Sequence, residues 1–391
     1  MSNKPVGMEV SVALSETIMH CDVDVIAAYP ITPQTHIVEH LADLFADGEM
    51  DAEYIPVESE HSALSACMGS AAAGARTFTA TAAQGLEYMH ETLFIASAMR
   101  MPIVMAIANR ALSAPISVWG DHSDVMAARD TGWISIFAEN GQETVDLAIM
   151  SFRIAEDHKV LLPVFLNLDG FHLSHMIEPV LIPSREEVKA FLPEHIYPAP
   201  LHPSKPVAMG ECAGPNIYTE AKKQQWEVLE KSIDIIRQVF ADFGKQFGRE
   251  YHLVEEYKVE GAKTLLLTMG SYSETAMTCV DKMRAQGKKV GLIRLRCFRP
   301  FPFDDLRKVV KNADTLIVLD RSLVMGGPGG PVMSEVRSAL FGRKGMPKVS
   351  GIVGGLGGRD ITVEDFEKIY DLGEKLANDQ SREFAMYGVK E

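Results

Sequence analysis

The feature that most constrains this chain is a recurrence of short, almost wholly apolar runs, each followed by a segment with helical spacing. Pro102–Ala108 (PIVMAIA), Leu162–Leu168 (LPVFLNL), Thr264–Met269 (TLLLTM) and Thr315–Leu319 (TLIVL) are strand-length and carry very few polar side chains. A strand of that kind is buried on both faces, which is the condition of a parallel sheet covered by helices on each side. The first half predicts further strands at Asp22–Tyr29, Glu53–Val57, Arg76–Ala80 and Trp133–Ala138. Helices are predicted between them at Pro33–Phe45, Ser62–Ala75, Leu86–Met99 and Glu143–Glu156. The fold class is therefore α/β.

Eight prolines between Pro179 and Pro215 mark an irregular connection, and Glu220–Phe247 has the spacing of a long bridging helix. A second, smaller α/β unit follows. Its predicted strands include Lys289–Leu295 and Val349–Val353, and its predicted helices are Glu274–Gln286, Phe303–Lys311 and Val332–Leu340. The expected division is 1–180, 181–258, 259–360, and a helical tail over 361–391 with its helix near Val363–Ala377.

Composition removes several function classes. Of 391 residues 47% are hydrophobic, enough for a core in each unit, and the net charge of -15 argues against nucleic acid or anionic membrane as partner. The start of the chain lacks a signal-peptide layout and no apolar run reaches membrane-spanning length, so a cytoplasmic protein is expected. The five cysteines are dispersed with no C-x-x-C pair, so iron–sulfur clusters are expected on other chains and no metal ligands on this one. The nicotinamide fingerprint G-x-G-x-x-G and the P-loop pattern are absent, which disfavours a dehydrogenase.

Ligands in open α/β sheets bind beyond the carboxyl ends of the strands, and several polar residues stand at such ends. Thr32, in Tyr29-Pro30-Ile31-Thr32-Pro33, reads as a helix N-cap or as a contact for a substrate carboxylate. In Val57-Glu58-Ser59-Glu60-His61, either glutamate could meet a ligand across a subunit interface, or Ser59 could simply cap a helix with acidic residues in its first turn. Arg110 ends the most apolar strand and suits carboxylate recognition, with a rim salt bridge as the alternative. The segment Gly120-Asp121-His122-Ser123-Asp124 could line a site or start a helix capped by Ser123 or Asp124. His36-Ile37-Val38-Glu39-His40 matches an inverted zinc-protease pattern and reads as a chance match, and His172 with His175 reads as a structural pair. The runs Gly326–Gly330 and Gly354–Gly358 read as tight loops.

Taken together and in order, these motifs resemble one family. Ala28–Pro33 (AYPITP), Val57–Ala66 (VESEHSALSA), Thr79–Gly85 (TATAAQG), Ala108–Ser113 (ANRALS), Gly120–Asp124 (GDHSD) and Asp169–Phe171 (DGF) are similar to the α subunits of archaeal and bacterial pyruvate:ferredoxin oxidoreductases. In the second half, Arg299–Phe303 (RPFPF), Leu319–Arg321 (LDR) and Gly355–Asp360 (GLGGRD) resemble the same family. The resemblance implies a thiamine-diphosphate-binding pyrimidine domain followed by a domain like the C-terminal domain of transketolase. It implies that Glu60 hydrogen-bonds the aminopyrimidine and acts in catalysis, that Gln84 and Gly85 also touch the cofactor, and that Thr32 and Arg110 bind the 2-oxoacid carboxylate.

The reaction implied is thiamine-dependent oxidative decarboxylation of a 2-oxoacid, pyruvate first, with coenzyme A to acyl-CoA and CO2. Electrons would leave singly through [4Fe-4S] clusters on partner subunits to ferredoxin. The chain lacks a Gly-Asp-Gly stretch, so the diphosphate and its Mg ion would sit on a β subunit, with γ and δ subunits completing the complex. Ala83 departs from the family, where Ser often precedes Gln-Gly, and Thr32 differs from the oxalate-using branch. The same chemistry on 2-oxoisovalerate, 2-oxoglutarate or an aryl glyoxylate is the alternative substrate reading, and a non-catalytic scaffold subunit is the alternative of another class.

Overall fold

The computed structural model describes residues 4–379 and 382–390. A short strand, β1 (Val6–Glu9), runs straight into helix α1 (Val10–His20). The alternation then proceeds through β2 (Val25–Ala28), α2 (Thr35–Ala46), β3 (Glu53–Pro56), α3 (Glu60–Ala73), β4 (Thr77–Thr81), α4 (Ala83–Tyr88), α5 (His90–Ala98) and β5 (Ile103–Asn109). It continues with α6 (Ser123–Ala127), β6 (Ile134–Phe137), α7 (Gly141–Glu156) and β7 (Val164–Asp169). Strand β8 (Ile177–Val180) returns to pair antiparallel with β1. The proline-bearing stretch holds one short helix, α8 (Arg185–Phe191), opened by a capping box at Ser184, before the 30-residue α9 (Tyr218–Phe247).

The second unit comprises β9 (Val254–Tyr257), β10 (Thr264–Thr268), α10 (Tyr272–Ala285), β11 (Val290–Leu295), β12 (Cys297–Arg299) and α11 (Phe303–Val310). After these come β13 (Thr315–Asp320), α12 (Pro331–Leu340), β14 (Lys348–Val353), α13 (Val363–Asn378) and β15 (Phe384–Met386).

Two sheets organise these elements. The first has the order β12-β6-β7-β5-β4-β2-β3 and is parallel except for β12. The second has the order β15-β14-β13-β10-β11-β9 and is parallel except for β9. Helices α1, α2, α7 and α9 cover one face of the first sheet through Leu14, Leu41, Leu147 and Phe240. On its other face, Leu64, Leu93, Trp133 and Phe165 form one continuous apolar cluster with Leu267, Phe298 and Val336 of the second unit. The two units thus share a core. Trp133 stacks on Phe165 with ring centroids 4.3 Å apart, and its indole N–H donates to the Leu93 carbonyl, so a large ring is buried with its polar atom satisfied.

Four features differ from the pattern in the sequence. Helix α1 has no capping side chain at Glu9 and carries buried Ser11, Ser15 and Thr17, whose hydroxyls donate to main-chain carbonyls of Ser174, Ile37 and Ala13. Polar residues satisfied in this way hide an apolar face from a periodicity argument. The predicted helix over 86–99 is two helices meeting at Met89. The second sheet takes its edge strand from Val254–Tyr257, ahead of residue 259, and the tail adds strand β15 after its helix. Strand β12, inside the second unit by position, joins the edge of the first sheet.

A buried ion network lies where α7 meets β11. Arg294 and Arg296 both reach Glu143, each at 2.6 Å, Arg294 reaches Glu139 at 3.0 Å, and Arg296 also binds Glu255. Burial alone would raise the Glu143 carboxyl, but the two guanidinium groups overcome it and hold it at about 2. A carboxyl lowered on folding stabilises the protein above its unfolded pKa, and that stabilisation is lost as pH falls through the acid range toward 2. Glu143→Gln is expected to lower unfolding stability at neutral pH by about 3–5 kcal/mol, because two buried cations lose their shared anion. The same variant should show a shallower loss of urea midpoint between pH 5 and 3 than the unaltered chain; an equal slope would remove Glu143 as the origin of the acid limb.

Candidate active site

The chain reverses its direction of growth across the first sheet at β2, which pairs with β3 on one side and β4 on the other. Such a switch opens a crevice at the carboxyl ends of the strands. Thr32 follows β2, Glu60 follows β3, Gln84 and Gly85 follow β4, and Arg110 follows β5. The topology therefore brings every candidate from the sequence to one edge of one sheet.

Glu60 opens α3 directly after its N-cap, Ser59, whose hydroxyl oxygen accepts from the Ser62 N–H. Both readings of this segment hold at once: Ser59 caps, and the glutamate behind it is buried, 7% exposed. Glu58 is exposed and accepts from the Ser62 hydroxyl instead, so it has left the crevice. The Glu60 carboxylate has no hydrogen-bond or ion-pair partner among the described residues. Gly85 makes this placement possible. A Cβ on Gly85 would lie 2.4 Å from Thr81 Oγ1 and 2.7 Å from Glu60 Oε1. Beside it, Thr81 Oγ1 and Gln84 Oε1 are buried without partners. Three unsatisfied polar groups around a glycine cradle fit a planar, hydrogen-bonding ring such as the aminopyrimidine of thiamine diphosphate.

Arg110 and Thr32 form the second half of the constellation. The Arg110 guanidinium donates from Nη1 to the Thr32 carbonyl (2.8 Å) and from Nε to the Ser117 carbonyl (2.9 Å). Neutral carbonyls fix its plane, and among the described residues no carboxylate forms a salt bridge with it, although the buried Asp124 acts on it electrostatically. Its charge remains available to an anion. Thr32 is exposed and caps nothing, because α2 begins later, at Thr35, with Gln34 in the cap position. Gln34 holds the intervening turn: its amide donates to the Ala80 carbonyl (2.7 Å) and its Oε1 accepts from the Ile31 N–H (3.2 Å).

Asp124 joins the two halves. It is fully buried and accepts from the backbone N–H groups of Arg110 (2.9 Å) and Ala83 (3.1 Å) and from the Asn109 amide (3.1 Å). Burial pushes its carboxyl up to about 7 against the lowering effect of these bonds. Neither Asp124 nor Ser123 caps α6; Asp121 accepts from both the backbone N–H and the hydroxyl of Ser123 instead. Ala83, where a serine hydroxyl is missing, contributes its main chain. Its φ of +40° is unfavourable for a residue with a side chain, and the bond to Asp124 helps hold it.

Residues from the second unit close in on the same edge. Arg321 pairs with Asp169 at the end of β7 (2.6 Å) and donates to the Gly120 carbonyl (2.8 Å). Gly357 N–H donates to Asp121, and a Cβ on Gly358 would strike Trp119 at 2.5 Å. The run Gly354–Gly358 thus packs on the Gly120 segment, whereas Gly330 gives room to Asp320, which receives the N–H groups of Val332 and Met333 at the start of α12. The histidine pattern on α2 does not converge: His36 pairs with Glu9 and His40 with Glu16. Gln34, Asp124, Asp169 and Arg321 carry roles that no spacing rule assigns, since each depends on a partner far away in the sequence.

A buried, unpartnered carboxylate and a guanidinium held by two carbonyls, at the switch point of a parallel sheet, mark the chain as an α/β protein with a ligand site at its strand ends. The structure of a 2-oxoglutarate:ferredoxin oxidoreductase from Magnetococcus marinus, with 2-oxoglutarate, coenzyme A and succinyl-CoA bound, superposes with a TM-score of 0.69 at 20% identity. That match covers 95% of this chain and 65% of the other. A split-gene transketolase, an inactive β4 tetramer, gives 0.58 at 10% identity over 95% and 100% of the two chains. At these identities the likeness is one of fold, and it is the α/β fold expected from the sequence.

The family model "Pyruvate flavodoxin/ferredoxin oxidoreductase, thiamine diP-bdg" matches residues 16–241, and "Pyruvate:ferredoxin oxidoreductase core domain II" matches residues 262–366. The chain is 50% identical over 375 residues to the pyruvate synthase subunit PorA of Methanocaldococcus jannaschii, covering 94% of this chain and 95% of the relative. Identity to the PorA of Pyrococcus furiosus is 46% over 90% and 89% of the two chains. Identity to the ketoisovalerate oxidoreductase subunit VorA of Pyrococcus abyssi is 40% over 99% of each. This chain therefore belongs to the pyruvate:ferredoxin oxidoreductase family, as an α subunit of the 2-oxoacid:ferredoxin oxidoreductase type.

Two outcomes follow from the geometry. Asp124→Ala removes the acceptor from three backbone N–H groups, those of Ala83, Arg110 and Val125, so stability should fall by about 1–3 kcal/mol for each that stays buried and unpaired. In the assembled enzyme kcat/KM should drop by roughly 100-fold as Arg110 loses its fixed position; steady-state kinetics beside a denaturation curve separates the two effects. Gly85→Ala places a methyl group against Glu60, and titration of the stripped complex with thiamine diphosphate should show weaker binding by about 1–3 kcal/mol, the usual penalty for overpacking.

Proposed function

We propose that this chain supplies the aminopyrimidine half of a thiamine diphosphate site that a β subunit completes, in a complex that oxidatively decarboxylates pyruvate. The observation that carries this reading is the Glu60 carboxyl group, buried, unpartnered and kept clear by Gly85. A carboxyl group so placed holds a proton at the ring nitrogen N1′, and a general acid–base group in that position controls the tautomer of the aminopyrimidine. The cofactor, when bound, supplies the nucleophilic carbon and the electron sink. Gln84 and Thr81, whose side-chain oxygens are buried without partners, would offer the ring further hydrogen bonds.

Arg110 and Thr32 receive the 2-oxoacid carboxylate. The guanidinium is already oriented by two carbonyls, so little ordering remains for substrate to bring about. The overall change is 2-oxoacid anion plus coenzyme A to acyl-CoA, CO2 and one proton, with two electrons leaving for the [4Fe-4S] clusters of partner chains and then for ferredoxin.

The missing Gly-Asp-Gly supports the reading that a β subunit holds the diphosphate and its Mg ion. Tyr88, Phe94 and Ile95, exposed on α4 and α5 beside Gly85, suit burial against such a partner. The γ and δ subunits complete the complex. Relatives at 46–50% identity bear the name pyruvate synthase, whereas the relative named for ketoisovalerate stands at 40%, which favours pyruvate over 2-oxoisovalerate, 2-oxoglutarate or an aryl glyoxylate. No helix among the described residues is long and apolar enough to cross a membrane, in keeping with a cytoplasmic enzyme.

Glu60→Gln in the assembled complex should lower kcat by about 10²–10⁴-fold while subunit assembly is retained. A scaffold role requires an unchanged rate, and that result would end the proposal. Turnover across a panel of the four 2-oxoacids is expected to give the highest kcat/KM with pyruvate; preference for a branched or dicarboxylic substrate would reassign the enzyme.

A further inference from the structure

Outside the crevice, one side-chain cluster has the composition of a metal site. Glu9 ends β1, His36 lies in the first turn of α2, and His175 lies in the turn between β7 and β8. One oxygen or nitrogen from each comes together, all within 4.8 Å of one another. The His36 and His175 rings pack with centroids 4.4 Å apart and planes inclined by 35°. Glu9 Oε1 stands 2.7 Å from His36 Nδ1. Three separate segments thus deliver two imidazoles and a carboxylate to one point.

From these contacts we propose that Glu9, His36 and His175 form a binding site for a divalent transition-metal ion of the zinc type, with a fourth position open to water. Two histidines and one carboxylate are a zinc-binding set. With bonds of about 2.0–2.2 Å, tetrahedral geometry needs donors about 3.3 Å apart, so the widest pair would close by up to about 1.5 Å while Glu9 and His36, now hydrogen-bonded, would part by about 0.6 Å to admit the ion. His36, whose side chain is 44% exposed, can move to do this, and the same exposure gives the ion a way in. His175 is already oriented: its Nδ1 lies 2.8 Å from Ser174 Oγ, which leaves Nε2 for the metal. A hydrogen bond behind the ligating ring is the usual support of a metal-bound histidine.

The pairing is not the one that the H-x-x-E-H pattern suggests. His40, one turn along α2, is occupied by Glu16 at 2.8 Å and takes no part. The ion would instead tie the start of α2, just beyond Thr32, to the turn that carries Phe171. Phe171 packs on both His175 (4.6 Å) and Trp119 (4.8 Å), so the brace stands next to the segment that orients Arg110.

Titration of the full chain with ZnCl2 by calorimetry tests the assignment. The expected result is one zinc per chain that is bound more than about 100-fold more weakly in both His36→Ala and His175→Ala, a larger loss than removal of a supporting partner gives. His40→Ala should bind as the unaltered chain does. Circular dichroism of each variant confirms that the fold is retained, and diffraction at the zinc absorption edge from crystals of the whole complex should place a peak between Glu9, His36 and His175. Equal zinc binding in the unaltered chain and the His175 variant, loss of binding in the His40 variant alone, or no uptake of zinc at all would each overturn the proposal.

Discussion

The arrangement of both units depends on one buried carboxylate, Asp169, at the carboxyl end of β7. Its Oδ1 faces His122 Nε2 at 2.8 Å and Arg321 Nη1 at 2.6 Å, and its Oδ2 accepts from the backbone N–H and hydroxyl of Ser271 at 2.7 and 2.6 Å. Burial raises such a group, but Arg321 and His122 outweigh that effect and drive the carboxyl far below its ordinary range. Its partners come from the first unit (His122) and from two separate loops of the second (Ser271 and Arg321). The loop at Ser271 approaches so closely that Gly270, at φ +69°, has no room for a side chain beside Asp169. A buried charge with this many partners sets registry between two sheets in a way that apolar packing alone does not. The shared apolar cluster supplies the adhesion, and Asp169 fixes the relative position.

Much of this could be read from the sequence, for physical reasons that can be named. Runs such as PIVMAIA and TLLLTM are apolar because both faces of a central parallel strand are buried, so β5 and β10 fall where expected. Candidates at the strand ends were legible because parallel topology puts all carboxyl ends on one edge. Helix α1 was not, since its buried hydroxyls bond to the main chain and break the apolar stripe. Strand β12 was not, since three residues carry no periodicity and its partner, β6, lies more than 150 residues earlier. Residue type and spacing left Glu58 and Glu60 open, since both flank the cap Ser59; the family resemblance pointed to Glu60, and the turn of α3 is what buries it and leaves Glu58 exposed.

The crevice shows a division of labour between side chains and main chain. Arg110 is held by the carbonyls of Thr32 and Ser117, Ala83 and the Arg110 N–H by Asp124, and the turn after β2 by Gln34. The groups left without partners there are on Glu60, Thr81 and Gln84. A site built from satisfied supports around unsatisfied contacts is preorganised, and its polar atoms need not exchange partners when ligand arrives.

Strand β12 carries one more implication. Because Cys297–Arg299 is hydrogen-bonded to β6 while β11, directly before it, belongs to the second sheet, the polypeptide stitches the two units together at their edges. Swinging one unit away from the other would unzip those backbone pairs and expose the cluster around Phe298. Clamshell opening is therefore closed to this chain as a route for reactants. Of the segments above the crevice, Ala111–Trp119 is the one that carries the exposed Ile116 and Trp119 next to Arg110.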